Sequence, residues 1–345
     1  MKAAVYYGPK DIRIEEIGYP KCQPDGVILK VKYVGICGGD VRNYYLGTDK
    51  IKPPMVTGHE VAGEVVEIDK NHSIYKVGDR LAMSPIVYCG SCYYCQNKMF
   101  TMCENLREIG FQFPGGFEEF MSIPGEAFER GAIVPIPEGL SFKHAAVCEP
   151  SSSCIYAQER ADITVGDRVA IFGAGPIGCI HIQVAKLRGA SKVIMIDISK
   201  ERLETAKTFE ADEYIDGSNE NVKERIDEIT AGIGVDKVIV AAPSSAAIEQ
   251  ALEIVRKRAV IVLFGGLPKD NSFTRLNANT IHYNDLNIIG HFGQERRHVI
   301  LSLELILKGK ISAEKLITHV LPLDKVHKGL ELIKNKKALK VLIKP

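Results

Sequence analysis

Four of the nine cysteines, Cys89, Cys92, Cys95 and Cys103, crowd into fifteen residues. Four soft thiolates close a tetrahedral shell around Zn²⁺ and leave no position for a substrate, so the spacing predicts a structural zinc lobe. Cys-x2-Cys-x2-Cys also opens a ferredoxin iron–sulfur motif, in which the fourth Cys follows after three residues and precedes Pro. Here it follows after seven and Glu104 comes next. That difference favours zinc.

A second set is scattered. Cys37 lies in Gly35-Ile36-Cys37-Gly38-Gly39-Asp40, and His59 in Gly58-His59-Glu60. Taken singly, a Cys is usually buried filler and a His a hydrogen-bonded core residue. Glycine on the N-terminal side of each, and a carboxylate next to the His, raise the pair to a candidate mixed-ligand zinc site. Glu149, in Cys148-Glu149-Pro150, is a further candidate ligand. Three protein ligands leave a fourth position for water or substrate, the mark of a catalytic metal.

Gly173-Ala174-Gly175-Pro176-Ile177-Gly178 fits G-x-G-x-x-G, and it follows a predicted strand and opens a predicted helix. Gly173 permits the tight turn, Gly175 lets backbone approach a pyrophosphate, and Gly178 allows close helix–strand packing. Pro176 suits a first helical position, where its missing N–H costs nothing. The helix N-terminus then offers N–H groups to phosphates. Asp197 ends the next strand at close to the expected spacing. Its carboxylate can accept from ribose hydroxyls and repels a 2′-phosphate, which favours NAD over NADP.

These residues need elements to hold them. Lys2–Tyr7, Val27–Ile36 and Val61–Ile68 read as strands bounded by turn formers, and predict a mostly β, barrel-like first domain. Beyond Asp162 strands and helices alternate: strand Arg168–Phe172, helix Pro176–Arg188, strand Lys192–Asp197, helix Lys200–Phe209, strand Val235–Ala241, helix Ala246–Arg256, then strands Arg258–Phe264 and Leu286–Ile289. That alternation predicts a doubly wound parallel sheet, an α/β fold. The tail from Arg296 carries two amphipathic helical stretches and a last apolar strand, Leu339–Ile343.

The 345 residues suit two domains. Lys+Arg 44 against Asp+Glu 43 gives a net charge of +1, which argues against a nucleic-acid partner. No apolar run is long enough to span a membrane, and no signal peptide is evident, so a cytoplasmic protein is expected.

Taken together, the chain resembles the zinc-dependent medium-chain alcohol dehydrogenases, in their polyol (sorbitol-type) and threonine dehydrogenase branch. The resemblance rests on Gly35–Asp40, Gly58-His59-Glu60-x2-Gly63, the cysteine lobe, Cys148-Glu149-Pro150, Gly173–Gly178 and the closing Lys340-Val341-Leu342-Ile343-Lys344-Pro345. It implies a Rossmann domain over 153–290 and a GroES-like catalytic domain over 1–152, to which 291–345 returns. It implies two zincs per chain, the catalytic one on Cys37, His59 and a carboxylate, with Glu60 and Glu149 both carried as ligand or neighbour. Ile177, Asp197 and Arg202 are implied to touch NAD, with Phe264, Gly265, Gly266, Ile289 and Gly290 near the nicotinamide. The implied chemistry is Lewis-acid activation of a hydroxyl, hydride transfer to the nicotinamide, and loss of one proton. A homotetramer or homodimer acting on a small-molecule alcohol or polyol is expected.

Relatives usually carry Ser or Thr two residues after the zinc Cys and often a His three further on, which together form a proton path. Here those positions are Gly39 and Arg42, and a guanidinium stays protonated at neutral pH and cannot serve as the base. Thr101 stands where threonine dehydrogenases often have a His. These departures favour a polyol or modified polyol, with Arg42 offering paired donors to a phosphate or carboxylate. A threonine-type 2-amino-3-hydroxy-acid dehydrogenase and a catalytically silent dinucleotide-binding protein are the alternatives.

Overall fold

Runs rich in β-branched residues become strands in the computed structural model, which describes Met1–Pro345. The chain divides into two units, Met1–Ser152 with Gly293–Pro345, and Ser153–Phe292.

The second unit is built on a six-stranded parallel sheet. Its order is Glu213–Asp216, Lys192–Asp197, Arg168–Phe172, Val235–Val240, Val255–Leu263 and Asn287–Gly290. The order reverses beside Arg168–Phe172, which makes the strand ends there the natural place for a dinucleotide. Helices cover the sheet, so inner strands read as unbroken apolar runs; Val193, Ile194, Met195, Val238, Ile239 and Val240 are all fully enclosed.

Two helix ends differ from the sequence reading by more than one residue. The helix expected over Ala246–Arg256 stops at Ile254, and Val255 and Arg256 open the next strand. The reason is tertiary. Val235 pairs with Val255, and the buried Asp236 carboxylate holds the guanidinium groups of both Arg168 (2.9 Å) and Arg256 (2.5 Å). The helix expected over Lys200–Phe209 is α only to Ala206 and finishes as a 3₁₀ turn, Lys207–Phe209. The edge strand Glu213–Asp216, four residues long, carried too little pattern to be read.

The first unit is a curled, mostly β body. Its eight-stranded sheet runs Ile317–Pro322, Lys340–Lys344, Val27–Gly35, Glu60–Ile68, Arg80–Val87 and Arg107–Glu108. Phe120–Ile123 adds to Val27–Gly35, and Gly131–Pro135 adds to Arg80–Val87. Register shifts at Ile28/Leu29 and Val31/Tyr33 break the Val27–Gly35 ladder, and such bulges bend a sheet toward closure. A smaller sheet joins Asp11–Glu16, Lys2–Gly8 and Met55–Val56. The core between these elements holds Leu29, Val34, Ile36, Val65, Met83 and Phe117.

The last strand ties the two ends of the chain together. Leu342 pairs with Gly35, and Gly35 pairs in turn with Glu60. The chain terminus is thereby stitched to the segment that carries Cys37 and His59. Among the described residues, no helix is long and apolar enough to cross a membrane.

Candidate functional site

In the lobe, the ligand atoms of Cys89, Cys92, Cys95 and Cys103 all lie within 4.8 Å of one another. Sγ of Cys89 is 4.0 Å from that of Cys95, and Sγ of Cys92 is 3.9 Å from that of Cys103. Tetrahedral zinc with bonds of about 2.3 Å sets sulfurs about 3.8 Å apart, so the donors fit it. Backbone N–H groups of Ser91 and Cys92 pull the Cys89 thiol down to about 5, whereas burial pushes Cys95 up to about 12. A dication is what lets all four sulfurs ionise together.

The other set assembles around the end of Val27–Gly35. Cys37 caps the helix Gly38–Leu46: its Sγ accepts from Gly39 N (3.4 Å), while its own N–H donates to Asp40 Oδ2 (2.8 Å). The Cys37 sulfur therefore faces the positive end of a helix. His59 and Glu60 sit where Glu60–Ile68 begins, and the ligand atoms of Cys37, His59 and Glu60 fall within 4.8 Å of one another. Gly35 is required for that closeness, because a Cβ there would lie 1.9 Å from Glu60 Oε2.

Supporting groups complete the arrangement. Asp40 Oδ1 is 3.6 Å from His59 Nδ1, a buried atom with no hydrogen-bond partner, so Nδ1 faces the carboxylate and the other ring nitrogen is left for a metal. Lys340 Nζ donates to both oxygens of the fully enclosed Glu60, at 2.7 and 2.8 Å, and to Ile36 O at 3.2 Å. Glu149, in the first turn of helix Cys148–Arg160, is not among the three residues that converge within 4.8 Å, but it lies near enough for its charge to act on His59 and for Glu60 to act on it. Its Oε1 accepts from Gln294 Nε2 (2.8 Å), which also donates to Ser84 Oγ (2.8 Å).

Electrostatics supply the test of fit. Burial raises the carboxyls of Asp40 and Glu149. Burial works to lower His59 and Lys340, but the acidic groups around them outweigh it and raise both. The carboxyl shifts come from burial and the His59 and Lys340 shifts from acidic neighbours, and all four favour the protonated form, the sign of a pocket short of positive charge. A divalent ion would supply that missing positive charge, and the donor set of soft S, imidazole N and carboxylate O suits zinc.

In the second unit the glycine turn has the form the sequence predicts. Helix Pro176–Leu187 starts at Pro176, and a Cβ on Gly178 would strike Gly173 O at 1.8 Å. Asp197 closes its strand with Oδ2 accepting from Ala174 N (2.7 Å) and Oδ1 from Ser199 N (2.8 Å). Arg202 reaches the turn, its Nη1 lying 3.9 Å from where a Cβ of Gly175 would be. Ile177 is partly exposed one residue into the helix. Phe264, Gly265 and Gly266 leave the C-terminal end of Val255–Leu263, and Ile289 and Gly290 end the neighbouring strand. The Phe264 ring stacks on His291 (centroids 4.8 Å) and meets His181 edge-on (4.8 Å). Arg42 is exposed on helix Gly38–Leu46.

The sequence reading missed Asp40 as a partner of His59, and it missed Gln294 and the His181–Phe264–His291 stack. Lys340 figured only in a closing pattern. No local motif marks Gln294, which reaches Glu149 from 145 residues away.

Comparison with known proteins agrees with this architecture. Residues 23–138 match the alcohol dehydrogenase GroES-like domain, and residues 176–308 the zinc-binding dehydrogenase domain. The chain belongs to the zinc-dependent medium-chain dehydrogenases, in the polyol and threonine dehydrogenase branch. It is 32% identical to D-arabitol-phosphate dehydrogenase of Enterococcus avium, over 95% of this chain and 92% of that one. It is also 32% identical to sorbitol dehydrogenase of Bacillus subtilis, over 100% and 97%. The crystal structure of 2R,3R-butanediol dehydrogenase from Bacillus subtilis superposes with a TM-score of 0.90 at 31% identity, covering 100% of this chain and 99% of that one.

Proposed function

We propose that this protein oxidises a secondary hydroxyl of a polyol with NAD, or reduces the corresponding ketone. The observation that carries the reading is the convergence of Cys37, His59 and Glu60 ligand atoms within 4.8 Å, with Asp40 behind the imidazole. Zinc, when bound, contributes the Lewis acidity that makes an alcohol acidic near neutral pH, and NAD contributes the hydride acceptor. Cys37 and His59 hold the metal, with Glu60 or Glu149 as the carboxylate. Asp40 fixes the imidazole, Lys340 fixes Glu60, and Gln294 fixes Glu149. In the second unit Gly173–Gly178 takes the pyrophosphate at the helix N-terminus, and Asp197 takes the adenosine ribose. Arg202 at that turn adds positive charge beside the phosphates.

Among polyols, a phosphate ester is the substrate we favour. Arg42 is exposed five residues past Cys37, and a side chain at Gly39 would begin 3.7 Å from Cys37 Sγ, so the glycine leaves room beside that sulfur. The similarity to an arabitol-phosphate dehydrogenase supports the same choice. Initial rates with NAD or NADP over a panel of polyols, polyol phosphates and threonine test the activity. Arg42→Ala should lower kcat/KM for phosphorylated substrates roughly 10- to 150-fold and leave unphosphorylated ones nearly unchanged. Equal losses for both classes would remove Arg42 from the substrate site, and turnover of threonine alone would replace the polyol reading.

A further inference from the structure

Away from both ligand sets, the small three-stranded sheet carries an acidic groove that neither set uses. Ala3 pairs with Glu15 on one side and bridges to Glu118 on the other, and Val5 pairs with Val56. Directly paired residues project from the same face, as do residues two apart on one strand. Glu15, Ala3, Glu118, Val5 and Val56 therefore share a face, as does Arg13, which pairs with Val5. A cavity of 460 Å³ opens on it, lined among others by Met1, Val5, Ile17, Met55 and Val56 with Glu118 and Glu15.

Glu118 is the unusual member. It is only 3% exposed and makes no hydrogen bond or ion pair, although buried carboxyls ordinarily find partners. Nearby cations are committed elsewhere. The Met1 ammonium donates to Ile17 O at 2.8 Å and lies 3.5 Å from Glu16, and Arg13 is bound by both oxygens of Asp11. Glu15 accepts only the Tyr7 hydroxyl, at 3.1 Å. The groove thus has an acid at each end, an apolar floor and a small Ala3 between them.

We propose that this groove binds a linear aliphatic diammonium ion, one nitrogen on Glu118 and the other on Glu15, with its methylenes over Val5 and Val56. Cross-strand neighbours lie about 4.5–5.5 Å apart, so the two acids flank Ala3 at a Cα separation of about 9–11 Å. Once the carboxylates lean inward, a chain of about four or five methylenes with bonds near 1.5 Å spans the gap. The site is independent of the zinc and NAD assignments. Burial pushes Glu118 up to about 8, so near neutrality its carboxyl carries a proton. Docking an ammonium there ionises the carboxyl, and the proton passes to the buffer.

Isothermal titration of the whole protein with 1,4-diaminobutane and 1,5-diaminopentane, in two buffers of different ionisation enthalpy at neutral pH and low salt, tests the site. The expected result is saturable binding at one site with nearly one proton released, and weaker binding of butylammonium. Glu118→Gln should weaken the diamines roughly 10- to 150-fold and abolish the proton release. Glu15→Gln should weaken the diamines and leave butylammonium nearly unchanged. Thermal melting of each variant checks that it is folded. No saturable heat up to about 10 mM diamine would overturn the proposal. So would equal affinity of wild type and Glu118→Gln, or butylammonium binding as tightly as the diamines.

Discussion

Lys340 grips both carboxylate oxygens of Glu60, at 2.7 and 2.8 Å, from a strand 280 residues further along the chain. Both side chains are almost wholly enclosed. An ion pair in that position holds one carboxylate beside Cys37 and His59 at a fixed place. Removing one partner leaves a buried charge unanswered, which costs more than the pair itself contributes. Lys340→Met should therefore lose about 3–5 kcal/mol in chemical denaturation, and adding Glu60→Gln should recover part of that loss. An unchanged denaturation midpoint in Lys340→Met would mean that the pair does not anchor the closing strand.

The two metal sets should respond differently to loss of one sulfur. Cys95 is buried in a lobe whose four donors can close a complete shell, so Cys95→Ser should lower the melting temperature and lower the zinc content by one per chain. Cys37→Ser should abolish turnover and release the other zinc, with little change in melting. Metal analysis beside calorimetry reads both, and equal destabilisation would contradict the division between structural and catalytic sites.

Glu118 predicts a pH dependence of stability that needs no ligand. Its carboxyl is raised from the ordinary 4.5 to about 8 by burial alone. A raised carboxyl stabilises the fold fully below about 4.5, and that contribution is lost as pH rises through about 8. The ceiling is roughly 4–5 kcal/mol, from the shift and about 1.4 kcal/mol per unit. Glu118→Gln should flatten this slope and leave the protein more stable than wild type at pH 9. Parallel stability–pH curves for the two proteins would show that Glu118 ionises freely.

Cofactor choice should follow Asp197. Its carboxylate closes the strand beside the glycine turn, held by Ala174 and Ser199 N–H groups. Asp197→Ala should raise kcat/KM with NADP relative to NAD by roughly 10- to 100-fold, as repulsion of a 2′-phosphate is removed and Arg202 remains. A wild type that already uses both equally well would take Asp197 out of that role.

The amino-acid sequence by itself determined the parts whose chemistry is local. Four cysteines within fifteen residues are near enough in sequence to converge on one another, and a glycine turn between a strand and a helix leaves backbone N–H groups facing outward at the helix start. Strand and helix alternation likewise announced the parallel sheet, because periodicity is set by neighbours a few residues apart. What the tertiary structure decided are the partners. Lys340 meets Glu60 only because Leu342 pairs with Gly35 and Gly35 with Glu60. Gln294 meets Glu149, and Arg256 leaves its helix for Asp236, for the same kind of reason. No motif singles out Glu118 in the sequence; an isolated bridge to Ala3 sets it beside an apolar cavity. The contacts made by strands depend on register and on which face is covered, and a one-residue slip would turn those side chains to the other face.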